Sequence, residues 1–260
     1  MPSLDNILSP FAIVGNDCSG TSLVSRALGN HCQCTNIGET VDLVHSVWKS
    51  LELFPAKRQL EIPDAIRHHF LRLFPSRSQY WLHSPVGIPM AKSIFDNEQN
   101  FLDWFWDVLE RVFPKAKYFT VLQHPLDVLV SSNESLGTLE STINSNRLAA
   151  RIVTHPRSQV MYAVNYRDLV QDPRNRVAQL LEYLGMEFEE SCLEPFNVAP
   201  VANGPNETQH PHESNPHIAD WFSQRDRWER IPRSSITTEY REAVDACWAK
   251  FDFDFGGWPV

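Results

Sequence analysis

No stretch of the sequence approaches the roughly 18 consecutive apolar residues that a helical membrane span requires, so no membrane partner is expected. Positive charge is also scarce: 23 lysines and arginines stand against 32 aspartates and glutamates, a formal net charge of −9. That balance argues against nucleic acid, because duplex binding needs a basic face to neutralise phosphates. An anionic ligand would have to be held by local donors. Paired cysteine spacing is missing as well. Cys18, Cys32, Cys34, Cys192 and Cys247 form an odd set, which argues against a disulfide scaffold and fits free thiols in a reducing compartment. The run His31 to Cys34, "HCQC", carries one C-x-C and no second ligand pair, so no metal is expected there. His68–His69 prompt no metal reading either, and His210, His212 and His217 sit among prolines and polar residues that read as an exposed loop. The opening residues, "MPSLDNILSPFAIVG", show neither the charged region nor the apolar stretch of a secretory leader, so a soluble cytoplasmic protein is expected. Neither a low-complexity tract nor an internal repeat is visible.

What is present is an ordinary globular composition, 42% hydrophobic over 260 residues, enough for one domain spanning 1–260. Phe11–Gly15 is a short apolar run ending in glycine, and the residues after it carry leucine and valine at helical spacing as far as Gly29. Val41 to Phe74 reads as helical, Ser78 to Pro85 as a short aromatic strand, and the segment from Phe101 as a strongly amphipathic helix. Ala116–Pro125 reads as a buried strand followed by a helix. The run Gln159 to Val170 reads as a further strand before a helix that Gly185 stops. Asn197 to His217 is too rich in proline and asparagine for regular structure and is expected to form a flexible loop or lid. Strands alternating with amphipathic helices predict an α/β fold, a central parallel sheet covered on both faces. Its ligand would lie beyond the carboxyl ends of the strands, where Gly15, His83 and Gln123 gather.

The stretch Gly15–Leu23, "GNDCSGTSL", nearly spells a phosphate-binding loop, but Thr21 stands where the G-x-x-x-x-G-K-[ST] pattern requires lysine. Three stretches together resemble the PAPS-dependent sulfotransferases. "GNDCSGTSL" is similar to that family's 5′-phosphosulfate loop, in which threonine follows the glycine. "YFTVLQHPLDVLVSS" is similar to its 3′-phosphate segment, with Pro125, Asp127 and Ser131 in place. "VNYRDLVQDPRNRVAQLLEYLG" is close to its Y-E-D-L-V-x-D-P segment. The resemblance implies a P-loop-like sulfotransferase fold and PAPS as co-substrate, with no metal. It implies a nucleotide site built from Cys18, Ser19, Gly20, Thr21, Ser22, Gln123, Ser131, Tyr166 and Arg227. In "NIGET", Glu39 stands where related enzymes place a general base, a role a carboxylate beside the transferring group can fill. Otherwise it is a solvated residue before a helix. His83 is the other catalytic candidate.

Three customary cations are absent: Cys18 replaces the basic residue before S-G-T, Gln123 the arginine ending the second segment's strand, and "HSP" with His83 a K-T-P. Loop amides at a helix N-terminus, the hydroxyls of Ser19, Thr21 and Ser22, and protonation of His83 or His124 could compensate. Arg227 lies in "QRDRWER", which resembles a late cofactor segment and reads equally as a solvated turn; Tyr166 is either near the nucleotide or plain core. The leading expectation is sulfuryl transfer to a hydroxyl or amine of a small-molecule acceptor, with natural-product tailoring as one setting. A sulfotransferase-like protein that only binds is the alternative, and a P-loop kinase suffers from the missing lysine. Trp48, Trp81, Trp104 and Trp106 would suit a cationic or planar acceptor, or simply the core.

Overall fold

A computed structural model describes residues 11–15, 19–39, 79–85, 97–112, 116–135, 138–158, 161–197 and 225–258. The helices expected between Val41 and Phe74, nearly all of the loop expected over 197–217, and Cys18 lie outside the described residues. Of Glu39, His83 and Arg227 the backbone alone is described.

Strand β1 (Phe11–Gly15) leads into helix α1 (Thr21–Gly29), followed by β2 (Cys34–Glu39), β3 (Gln79–Pro85) and α2 (Glu98–Val112). Then come β4 (Lys117–Leu122), α3 (Pro125–Ser135), α4 (Leu139–Thr154), β5 (Met161–Asn165), α5 (Tyr166–Gln171) and α6 (Pro173–Leu184). A 3-10 turn at Arg225–Arg230 and helix α7 (Thr238–Ala249) follow near the C-terminal end of the described residues. The five strands form one parallel sheet in the order β2-β3-β1-β4-β5.

Side chains alternate between the two faces, as the pleat dictates. Phe11, Ile13, Phe119, Val121 and Val164 pack with Leu23, Leu28, Leu180 and Leu181 of α1 and α6. Val14, Leu122 and Met161 pack with Phe105, Leu129, Ile152 and Val244 of α2, α3, α4 and α7. Both faces are therefore covered, which is why β1 reads as an uninterrupted apolar run. Trp106 belongs to this core: its ring is 0% exposed and its Nε1–H donates to the Ile152 carbonyl at 3.1 Å. Trp104 packs half-buried against the same cluster, Trp81 lies in β3, and Trp48 lies outside the described residues.

Three elements differ from the sequence reading. Helix α4 has no counterpart there, because its inward stripe mixes Ile143, Leu148 and Ile152 with buried Thr142 and Asn146; Asn146 Nδ2–H donates to the Thr142 carbonyl at 3.3 Å. Strand β2 lies at the sheet edge, and Glu39 is its last residue. "CTNIGE" carries no apolar run, and its pairing with β3 is what makes it a strand. The expected strand Gln159–Val170 stops at Asn165, whose side chain accepts the Arg167 N–H at 3.0 Å and caps α5. Gly185 does stop α6: it sits at φ 83°, with its N–H on Glu182 O at 3.0 Å and Met186 N–H on Leu181 O at 2.8 Å.

Candidate functional site

The parallel register brings the carboxyl ends of the strands to one edge. Gly15 of β1 lies opposite Pro85 of β3, and Leu122 of β4 opposite Asn165 of β5. Ligands of open α/β sheets settle along that edge.

The loop between β1 and α1 is built by two glycines. Gly15 is closely packed: a Cβ there would stand 3.0 Å from Thr21 Cγ2, so that side chain would have to give slightly, and 3.5 Å from Ser19 Oγ. Gly20 adopts φ 91°, the left-handed conformation that glycine takes without strain. It forms the N-cap of α1 with no side chain to accept the first-turn N–H groups. Those amides and the positive end of the helix form an anion-binding geometry without a lysine. Ser19 and Thr21 are 3% and 2% exposed, whereas Ser22 is half-buried and more accessible.

Tyr166, the first residue of α5, closes over this loop. A Cβ on Gly20 would fall 2.1 Å from Tyr166 Cδ2 and 2.3 Å from Cε2. The ring is 2% exposed and packs in the core cluster beneath α1 and α6. Tyr166 is thus a core aromatic whose ring bears on the loop glycine.

Gln123 follows β4 and Ser131 lies on α3; they are 7% and 1% exposed. A small cavity of about 50 Å³ runs beside Gly15, Ser19, Thr120, Gln123 and Asn146. Thr120 Oγ1, buried at its wall, has no hydrogen-bond partner among the described residues. A buried hydroxyl without a partner costs free energy unless something polar meets it. Nothing in the sequence singled out Thr120, a polar residue inside an apolar strand run.

Glu39 and His83 are register partners on neighbouring strands, just after an irregularity in the β2–β3 pairing, and His83 also lies opposite Ile13 of β1. The sheet thereby sets the two catalytic candidates side by side, near the carboxyl end of the strand that leads into the loop. Arg227 lies in the 3-10 turn Arg225–Arg230, and its neighbour Trp228 is the residue seen to engage the fold. Trp228 Nε1–H donates to Asp127 Oδ1 at 2.8 Å. Its ring stacks on His124, with centroids 4.2 Å apart and planes 8° apart. His124 Nδ1 accepts the Leu126 N–H at 3.2 Å, which leaves Nε2 as the protonated nitrogen of the neutral ring. The late R-W pair was a sequence signal for this contact, but its partners on β4 and α3 were not legible.

His31 and Cys32 lie apart from this site, against Glu189, with potential ligand atoms within 4.8 Å of one another. Both ring nitrogens of His31 are engaged: Nδ1 accepts the Gln33 N–H at 3.1 Å and Nε2–H points to Glu187 O at 2.9 Å. Cys32 meets Glu189 through its N–H at 2.8 Å and its thiol at 2.6 Å. These bonds make the corner a tie between the end of α1 and the segment after α6, and they hold the Glu189 carboxyl below the usual range, the Cys32 thiol contributing most.

Comparison with known proteins follows the same lines. The family model of the Sulfotransferase family matches residues 10–190. A protein of Aquifex aeolicus (strain VF5), described as uncharacterized, is 25% identical over 207 residues, which take in 73% of this chain. The chain spans only 27% of that protein's length. Among solved structures, the sulfotransferase domain from the Synechococcus PCC 7002 olefin synthase superimposes with a TM-score of 0.60 at 19% identity, covering 95% of each chain. The sulfotransferase domain from the curacin biosynthetic pathway gives 0.56 at 14% identity, covering 94% of this chain and 97% of that one. These likenesses concern the fold.

Proposed function

The chain belongs to the sulfotransferase family, and from that premise we propose that it transfers a sulfuryl group from PAPS to a hydroxyl or amine of a small-molecule acceptor. The observation that carries this reading is the loop at the end of β1, where Gly20 caps α1 in the left-handed conformation with no side chain of its own, beside the hydroxyl residues Ser19 and Thr21. Such donors suit the oxygens of a phosphosulfate without needing the lysine of a nucleoside-triphosphate loop. The unpartnered Thr120 hydroxyl beside the loop fits the same polar tail.

When bound, PAPS supplies an activated sulfuryl group whose leaving group is adenosine 3′,5′-bisphosphate. The amides of the first turn of α1, with Ser19, Thr21 and Ser22, hold the oxygens on which charge spreads in the transition state. Cys18 stands immediately before Ser19 in the sequence, where the family carries a basic residue. Glu39 or His83 takes the proton from the acceptor as it attacks sulfur. Gln123 and Ser131 hold the far phosphate as neutral donors, Tyr166 presses on the loop beside the nucleotide, and Arg227 adds positive charge from the 3-10 turn. The two neighbours' origins, an olefin synthase and a biosynthetic pathway, support natural-product tailoring as the setting.

Labelled PAPS with a panel of hydroxyl and amine acceptors tests the reading. Transfer should fall about 10²–10³-fold on Glu39→Gln if the carboxylate is the base, and His83→Gln should carry the loss if the imidazole is. Absence of both transfer and bisphosphate binding would refute the proposal. Gln123 in place of arginine favours a second reading, a sulfotransferase-like protein that binds a partner or another ligand; no thermal stabilisation by saturating adenosine 3′,5′-bisphosphate would select it.

A further inference from the structure

Thr120 is a hydroxyl residue in the middle of the apolar strand β4, paired with Ala163 of β5. Its neighbours Phe119 and Val121 pack toward α1 and α6, whereas Leu122 packs toward α3, α4 and α7. Alternation therefore turns Thr120 toward α4, whose Asn146 lines the same cavity of about 50 Å³. Ser19 and Gln123 line it too. All four polar residues are more than nine-tenths buried: Thr120 is 1% exposed, Ser19 3%, Gln123 7% and Asn146 8%. Polar side chains gathered so deep, against walls that include Leu122, Val153 and Val244, require partners.

Among the described residues Thr120 Oγ1 has none. Asn146 Nδ2–H donates to the Thr142 carbonyl at 3.3 Å, which leaves its Oδ1 as an acceptor. A buried water needs about 10–15 Å³ of such space and two to four polar partners. This cavity supplies the room and the partners together. Gly15 connects it to the loop: a Cβ there would stand 3.5 Å from Ser19 Oγ and 3.8 Å from Thr120 Oγ1. The two hydroxyls thus converge on the open side of one glycine. Ser19 directly precedes Gly20, the N-cap of α1, so whatever fixes Ser19 from behind also fixes the start of the helix.

We infer that Thr120 is a positioning residue: with Asn146 it holds water in this cavity, and that water supports Ser19 and, through it, the first turn of α1. Being 1% exposed behind the loop, Thr120 reaches the loop's ligand only through this water. A loop with Cys18 in place of a basic residue depends on how well its amides and hydroxyls are placed, and residues behind them set that placement. The water site stands on the cavity and the unpartnered hydroxyl. Its effect on nucleotide affinity rests on the proposed function.

Three substitutions in the full chain test it: Thr120→Val, which keeps the shape and removes the hydroxyl, Thr120→Ser, which keeps the hydroxyl, and Asn146→Leu on the facing helix. Adenosine 3′,5′-bisphosphate is titrated by calorimetry, and inorganic sulfate, a probe of the loop alone, by NMR. Thr120→Val and Asn146→Leu should each weaken both ligands about tenfold, and Thr120→Ser should stay within about twofold of the native protein. Because both side chains hold the same water, the double variant should lose little beyond either single one. Asn146→Leu reads the same water from a second element should the valine protein not fold. A merely structural hydroxyl would lower the urea midpoint of Thr120→Val and leave both affinities unchanged, which overturns the inference. Losses that add in full, or a serine variant as weak as the valine one, overturn it as well. A crystal structure of the native chain should show water within hydrogen-bond distance of Thr120 Oγ1, and a dry cavity would refute the site. Sulfate binding that depends on Thr120, with no bisphosphate bound, would sustain the positioning role and remove the proposed function. A native chain that binds neither ligand removes both.

Discussion

Substituting Gly20 by alanine probes the loop where its geometry is most demanding. The residue sits at φ 91°, so any L side chain incurs the left-handed penalty of about 1–2 kcal/mol. The new methyl would also fall 2.1 Å and 2.3 Å from two ring carbons of Tyr166. That ring is 2% exposed and cannot swing away without disturbing the core cluster, so overpacking adds about 1–3 kcal/mol. Gly20→Ala should therefore cost about 2–5 kcal/mol, a large share of the roughly 5–15 kcal/mol typical of a folded domain. Tyr166→Ala alone should cost about 3–5 kcal/mol through the cavity it leaves. In that background the overlap is gone, and Gly20→Ala should cost only the conformational part, about 1–2 kcal/mol. A double-mutant cycle by urea denaturation, with unchanged m-values, then shows a coupling of about 1–3 kcal/mol. Equal costs of Gly20→Ala in the two backgrounds would show that the ring does not bear on the loop.

Further consequences follow from contacts away from the site. Glu98 joins α2 to α4 through Arg147, at 2.6 Å, and Arg151; Glu98→Ala should cost about 1–2 kcal/mol, less in high salt, as read from Tm at two ionic strengths. Lys250 ties the end of α7 to the corner after α4, donating to Val153 O and Ser158 O at 2.7 Å each and to Ser158 Oγ at 2.6 Å. Lys250→Met should destabilise by about 1–3 kcal/mol, and a neutral result in denaturation would refute this tie. Hydrogen bonds from Gln99 and then His155 hold the Asp103 carboxyl below its usual range. Its contribution is therefore complete above the ordinary aspartate range and lost as pH falls through the lowered folded value; Asp103→Asn should flatten that acid limb of the stability profile. Burial pushes the Cys247 thiol up to about 12 and the Cys192 thiol up to about 11. At pH 8 the thiolate of Cys247 is then about 10⁻⁴ of the population. Alkylation followed by peptide mass mapping should therefore mark exposed Cys32 and spare both.

The architecture was legible where local chemistry and tertiary demand agree. Phe11–Gly15 and the strand before Gln123 are apolar runs because both faces of a parallel sheet are buried, and Gly185 marks a helix end because its conformation excludes a Cβ. Legibility failed where the fold overrides local preference. Helix α4 places Thr142 and Asn146 in the interior and so blurs its own stripe, and β2 is a strand through its pairing with β3. Asn165 ends a strand by capping the next helix, a role that its identity permits but does not announce.

The sequence by itself determined the loop: the two glycines and the hydroxyl residues Ser19, Thr21 and Ser22 at the start of α1 follow from residue order, since a tight turn and its donors are made within a few residues. Only the tertiary structure decided what surrounds it. Tyr166 reaches Gly20, Trp228 reaches Asp127, and Arg167, Arg233 and Arg241 meet around one cavity because β1, β4 and β5 end at the same edge of the sheet and the C-terminal segment folds back over it. Contacts between residues separated by scores of positions are selected by the packing of whole elements, and no local pattern records which of them will meet.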